Sequence, residues 1–206
     1  MSVLDLAAIA AAPARAAPFP HFVVPGAIRA DALAAIHRDF PAIAGPGSFP
    51  SWTLDYGAAF ANLAGMLESA DLARIVGDKL GIDLGGRPTM LTVRGHCRAT
   101  DGRIHTDSTG KLVTALFYLN SDWEAPGGRL RLLNNDSNLD DSILEVPPAA
   151  GTLLAFRCTG NAWHGHESFV GERRSLQLNW VTGRAYLWRE QARHSLSAFA
   201  KRLRAS

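Results

Sequence analysis

The feature that most constrains this chain lies between residues 86 and 183. There, short runs rich in Val, Leu, Phe and Thr alternate with clusters of Gly, Asn, Asp and Pro. The runs are 89–94, 111–120, 128–133, 143–146, 151–157, 162–170 and 173–182. Seven strand-length runs with no helix-length segment between them leave little choice of topology. Parallel strands need long crossovers, so neighbours joined by short turns must pair antiparallel. The expected architecture is mainly β with flanking helices, built on a jelly-roll-like double sheet.

The rest of the chain reads as support for that core. Ser2 and Asp5 precede a short apolar helix that stops before Pro13, and residues 18–25 (PFPHFVVP) read as an edge strand fenced by prolines. Asp31 is the expected cap of a helix carrying Leu33, Ile36 and Phe40. From Ala58 to Leu80 the apolar spacing fits one or two amphipathic helices, with Asp71 as an internal cap. Helical spacing returns in the tail, where Leu196, Phe199 and Leu203 lie apart from a basic face. At 206 residues the expectation is one domain, divided into mostly helical support (1–85), jelly-roll (86–183) and a C-terminal helix (184–206).

Composition narrows the function classes. With 47% apolar and 19% charged residues the chain is globular, and a net charge of +2 is too small for a dedicated nucleic-acid binder. No run approaches the roughly 20 apolar residues of a membrane span, so neither nucleic acid nor membrane is an expected partner. Two cysteines, Cys97 and Cys158, make no disulfide scaffold and read as small buried residues. The Ala-rich start has Asp5 and no basic residue before its apolar run, unlike a secretory signal, and the expected compartment is cytoplasmic.

Chemistry concentrates on three of the seven histidines. In extended backbone, residues two apart share a face, so His105 and Asp107 of RIHTDS aim an imidazole and a carboxylate at one point. His164, in WHGHES, lies where a barrel could bring it back to that pair. Two imidazoles and one carboxylate leave metal positions open, as non-heme Fe(II) oxygenases require, although zinc accepts the same donors. After His164 comes a strand whose alternate residues Arg173, Ser175, Gln177 and Asn179 are polar while Leu176, Leu178 and Trp180 are apolar. A polar inner face that begins with a guanidinium suits a barrel whose mouth holds a dicarboxylate.

These residues fall in an ordered set: HTD at 105–107, FYLNSDW at 117–123, GGRLRLL at 127–133, EVPPAAGTLLAF at 145–156, WHGHES at 163–168 and GERRSLQLNW at 171–180. The set resembles the prolyl-hydroxylase-like 2-oxoglutarate- and Fe(II)-dependent dioxygenases, especially the hypoxia-type prolyl hydroxylases and their bacterial relatives. The resemblance implies a double-stranded β-helix (jelly-roll) core with helices packed on one side, in which His105, Asp107 and His164 ligate iron. It also implies that Arg173 and Tyr118 hold the far carboxylate of 2-oxoglutarate, with Thr114 and Leu116, on the same strand parity as Tyr118, lining the pocket. The activity it implies is hydroxylation coupled to conversion of 2-oxoglutarate and O₂ into succinate and CO₂, with ascorbate as reductant. The substrate, whether a prolyl or other peptide side chain, an amino acid or a small metabolite, stays open, as does oligomeric state.

Some assignments have rivals. Arg174 points to the opposite face from Arg173 and is the fallback for the co-substrate. His166, two residues beyond His164, either faces the substrate or donates to a backbone carbonyl. Arg94 and His96 share a parity before the HTD segment and, with Asn179 and His166, are candidates for the substrate pocket. The competing functions are a non-catalytic 2-oxoglutarate-sensing or metal-sensing jelly roll and a cupin-like zinc or manganese enzyme.

Overall fold

In this computed structural model residues 2–121, 123–190 and 192 are described. Six strands form the larger sheet: β1 (His21–Val24), β2 (Phe49–Pro50), β3 (Thr89–Cys97), β4 (Lys111–Tyr118), β7 (Leu153–Arg157) and β9 (Gly171–Val181), in the order β1-β7-β4-β9-β3-β2. The smaller sheet has β6 (Ser142–Val146), β5 (Leu130–Leu133) and β8 (His164–Gly165), in the order β6-β5-β8. Every strand pair is antiparallel. The expected strands are therefore present, with two differences. The 162–170 run contributes only His164 and Gly165, and the Gly/Pro-rich stretch before Ser51 hides the short edge strand β2.

Four helices, α1 (Leu6–Ala11), α2 (Ala30–Arg38), α3 (Ala58–Leu67) and α4 (Ala70–Leu80), support the larger sheet. Their caps correct the sequence reading. Asp5 rather than Ser2 caps α1 by accepting from the Ala8 amide at 2.9 Å. Asp31 lies in the first turn of α2 behind Arg29, and Ser69 rather than Asp71 caps α4, accepting from Leu72 N at 3.2 Å. An acid one turn inside a helix still answers the positive helix end, which is why Asp31 and Asp71 imitate caps in the sequence. Beyond residue 192 the expected tail helix lies outside the described residues; 184–190 are helical. Among the described residues no helix is long and apolar enough to cross a membrane.

Strand alternation divides the larger sheet into two faces. Val113, Ala115, Phe117, Leu153, Ala155, Leu176, Leu178 and Trp180 point to the helices and join Phe60, Leu63, Leu67, Leu72 and Val76 in the main core. The opposite parity points between the sheets, where Tyr118, Leu154 and Phe156 meet Phe19, Leu130, Leu132, Val146 and Ala162. The remaining inner-face positions are polar and line a cavity. Trp180 is 1% exposed in the helix-facing core. Trp180→Ala is expected to destabilise the protein by about 3–5 kcal/mol through lost burial and a cavity that cannot collapse, as read from chemical denaturation.

Candidate functional site

The site starts from a backbone constraint. His105 N donates to His164 O and His164 N donates to His105 O, both at 3.0 Å, so the two residues form an antiparallel bridge that extends the smaller sheet. Their rings stand side by side with centroids 4.3 Å apart. Gly165 lets this happen, because a Cβ there would meet Gly102 O at 2.8 Å and Ile104 Cα at 3.2 Å. Gly102 is equally tied to the contact: it has φ +92°, and a Cβ would strike the His166 ring. His166 N in turn donates to Gly102 O at 2.9 Å.

Both bridging histidines have a fixed ring orientation. Nδ1 of His105 lies 2.8 Å from Arg103 O and Nδ1 of His164 lies 2.9 Å from Ala162 O, so each Nδ1–H donates to a carbonyl and leaves Nε2 free as a ligand. Asp107 completes the set: one donor atom from each of His105, Asp107 and His164 lies within 4.8 Å of the other two. Burial alone would raise the Asp107 carboxyl. The Lys111 ammonium, His164, and hydrogen bonds from Lys111 and Thr114 hold it below the usual carboxylate value, so it stands ready as an anion. Burial and the neighbouring His105 push His164 down to about 4, which keeps it a neutral donor.

The triad opens into a cavity of about 510 Å³. Strand register aligns three rows across β4, β9 and β3, Thr114–Asn179–Met90, Leu116–Gln177–Thr92 and Tyr118–Ser175–Arg94, and all of these residues but Tyr118 line the cavity. Beyond the third row Arg173 is 5% exposed, with Nε donating to Gly128 O at 2.8 Å and its guanidinium stacked 5.2 Å from the Tyr118 ring centre. The guanidinium lies close enough to act on the Tyr118 phenol. The Tyr118 hydroxyl is fully buried and, among the described residues, has no hydrogen-bond partner of good geometry. A buried guanidinium and an orphaned hydroxyl side by side are the donor set that an anion completes. Burial raises the Tyr118 phenol, against the opposing effect of Arg173, and keeps it a hydrogen-bond donor.

The cavity gathers most of the sequence candidates: His105, Asp107, His164, His166, Arg94, Thr114, Leu116, Arg173 and Asn179 all line it. Tyr118 sits beneath Arg173 rather than on the cavity wall. Arg174 faces the other way, over the Phe40 ring and paired with Glu172, and so takes no part. His96 does not line the cavity either, because the β3–β9 register slips between Arg94 and His96 and breaks the parity that would have placed them together. Asn179 is fully buried and donates to Thr114 Oγ1, so it braces the triad. His166 bonds Glu167 O through Nδ1, one of its two expected roles, and its side chain also lines the cavity.

Sequence reasoning missed Lys111, which lines the cavity and pairs with Asp107 at 2.6 Å. Its odd parity points to the helix-facing core, but a register slip between Lys111 and Val113 turns it inward. The signal was its place four residues after Asp107. Ser48, Asp101 and Glu190 also reach the cavity, from segments outside the sheet. The acidic stretch 134–142 closes on itself through Asn134 and Asn135 bonded to Asp141, and no residue of it lines the cavity.

Two imidazoles and a carboxylate grouped inside an antiparallel double sheet are a donor set that could hold one metal ion. Residues 94–182, which carry the whole triad and Arg173, match the family model of the 2OG-Fe(II) oxygenase superfamily. The fold agrees. A prolyl-4-hydroxylase from Pseudomonas putida is 22% identical, with 85% of this chain and 91% of that one covered at a TM-score of 0.53. The viral collagen prolyl hydroxylase of Paramecium Bursaria Chlorella virus-1, solved with 2OG, is 13% identical over 80% of this chain and 96% of that one, TM-score 0.52. AviO1 of Streptomyces viridochromogenes Tue57 is 13% identical over 88% and 96%, TM-score 0.52. No curated protein matches in sequence. The matched family is that of 2OG-Fe(II) oxygenases, and the structural likenesses are likenesses of fold.

The buried histidines make a pH prediction. His166, like His164, is pushed down to about 4, chiefly by burial. Unfolded, both take up protons below about pH 6.5, while the native state stays neutral until about 4. The unfolded state therefore binds more protons in that window, and stability falls as pH drops through it. Urea denaturation of metal-free protein is expected to show a lower midpoint at pH 5 than at pH 7, and His166→Gln should reduce the difference.

Proposed function

We propose that the protein is a 2-oxoglutarate- and Fe(II)-dependent dioxygenase that hydroxylates its substrate with release of succinate and CO₂. The observation that carries the reading is the placement of a ring-oriented His105–Asp107–His164 triad and a buried Arg173 with no acid against it in one cavity. The donor chemistry fits Fe(II), since imidazole and carboxylate suit it and three donors leave positions for a chelating co-substrate and O₂. It also fits 2-oxoglutarate, whose far carboxylate would satisfy Arg173 and the orphaned Tyr118 hydroxyl at once.

When bound, the iron supplies the redox chemistry that activates O₂. The chain's residues do the positioning. Arg173, held by Gly128 O and by the Tyr118 ring, fixes the co-substrate by its charged end, while Thr114 and Leu116 line the wall between that end and the triad. His105 and His164 are held in place before ligands arrive by their backbone bridge and by the carbonyls on their Nδ1 atoms.

The substrate side of the cavity is polar. Its residues include Thr92, Arg94, Asp101, Ser175, Gln177 and His166, and among the described residues no Phe, Tyr or Trp lines it. Arg94 is braced there by Asp101 at 3.0 Å and Ser48 at 3.2 Å. Such a wall supports a hydrogen-bonding substrate, in a peptide or a small metabolite, over a purely apolar one.

Protein reconstituted with Fe(II), 2-oxoglutarate and ascorbate under air is expected to form succinate, and His105→Ala and Asp107→Ala to form none. Arg173→Met should weaken 2-oxoglutarate binding by roughly 30-fold or more, the usual consequence of removing one partner of a buried charge pair. Tyr118→Phe should weaken it by about tenfold. Calorimetric titration of the manganese-loaded protein checks both. Succinate formation that persists in Asp107→Ala would end the proposal.

A further inference from the structure

The fold treats the two oxygens of Asp107 differently. Oδ2 accepts from Thr114 Oγ1 at 2.5 Å, Thr114 Oγ1 accepts from Asn179 Nδ2 at 2.7 Å, and Asn179 Oδ1 accepts from Gln177 Nε2 at 3.0 Å. Every donor in this series points toward Asp107. Thr114 and Asn179 are paired on central strands, and both are buried. The Cys158 thiol adds a weak contact to the same Oδ2 at 3.8 Å. This side of the carboxylate is fixed.

Oδ1 has a different partner. Among the described residues its hydrogen bond comes from Lys111 Nζ, at 2.6 Å. Lys111 stands at the register slip that begins β4, and its side chain, 13% exposed, lines the cavity at the end of a flexible four-carbon stem. A divalent cation gathering His105 and His164 also needs an oxygen of Asp107. With Oδ2 held by the hydroxyl series and the thiol, Oδ1 is the oxygen open to exchange, and the group already on it is an ammonium. Two cations sharing one carboxylate oxygen repel strongly in a buried setting.

We infer that Lys111 is a positioning residue that competes with the metal. It compensates and orients Asp107 when the site holds no metal, and it gives up Oδ1 when a metal binds, which sets a ceiling on metal affinity. The step is an exchange of ion pairs: the Nζ–Oδ1 contact breaks, a metal–Oδ1 bond forms, and no electron moves. The Thr114–Asn179–Gln177 series keeps the carboxylate in place through the exchange. Without Lys111 the metal-free state holds a buried carboxylate with no cation beside it, which is costly, whereas the metal-bound state loses only a repulsion. The inference rests on the triad assignment made above.

The test is Mn²⁺ titration of metal-stripped protein, with free Mn²⁺ read by electron paramagnetic resonance, alongside thermal melts with and without Mn²⁺. Lys111→Met and Lys111→Gln are expected to bind Mn²⁺ roughly tenfold more tightly than wild type, to melt lower when metal-free, and to gain more in melting temperature on Mn²⁺ addition. Lys111→Arg keeps the charge and is expected to stay within about threefold of wild type. If Lys111→Met does not fold, Lys111→Gln decides. Neutral variants that bind Mn²⁺ no tighter than wild type overturn the competition. Wild-type protein that binds no Mn²⁺ instead overturns the triad assignment itself, so the two failures are distinct.

Discussion

Two backbone hydrogen bonds between His105 and His164 organise the centre of this protein. They add the segment around His105 to the smaller sheet as one more strand, so two histidines distant in the chain become cross-strand neighbours with their rings side by side. Because the positions come from sheet geometry rather than side-chain packing, the spacing is set to within the tolerance of a β-ladder. Asp107 follows two residues on and falls on the same side. The close approach of residues 102–104 to Gly165 is the steric condition for the pairing, and it also places His166 over Gly102 at the cavity wall.

The larger sheet separates stability from chemistry by its two faces. One face is apolar and supports the helices, so the main core is closed without any residue of the candidate site. The other face carries Thr114, Leu116, Ser175, Gln177, Asn179 and Arg173 into the cavity, where Thr114, Ser175, Asn179 and Arg173 are buried. Charge placed there is expensive unless partnered. Asp107 has Lys111 and Thr114, while Arg173 has one carbonyl and an aromatic face. The contrast between the compensated acid and a base with no acid beside it is what supports the proposal that Arg173 binds a ligand.

Strand positions were legible because alternation is a local property. The runs at 111–120, 151–157 and 173–182 match β4, β7 and β9 closely, and their parity correctly separates core from cavity. Arg173 was separable from Arg174 for the same reason. Legibility failed where the ladder slips. At Arg94/His96 a slip removed His96 from the cavity, and at Lys111/Val113 another brought Lys111 in. Helix caps failed too, since Asp31 and Asp71 satisfy the helix dipole from inside the first turn as a cap would from outside it.

Local sequence alone therefore determined the antiparallel β core, the helical support before it, the pairing of His105 with Asp107 and the polar face led by Arg173. Those follow from periodicity and from side-chain chemistry over a few residues. Only the tertiary structure decided that His164 meets that pair, that Tyr118 lies under Arg173 with a free hydroxyl, and that Lys111 stands on Asp107. It also brought Ser48 and Glu190 to the same cavity. Each of these depends on register between strands far apart in the chain, where a slip of one residue reverses the face a side chain presents.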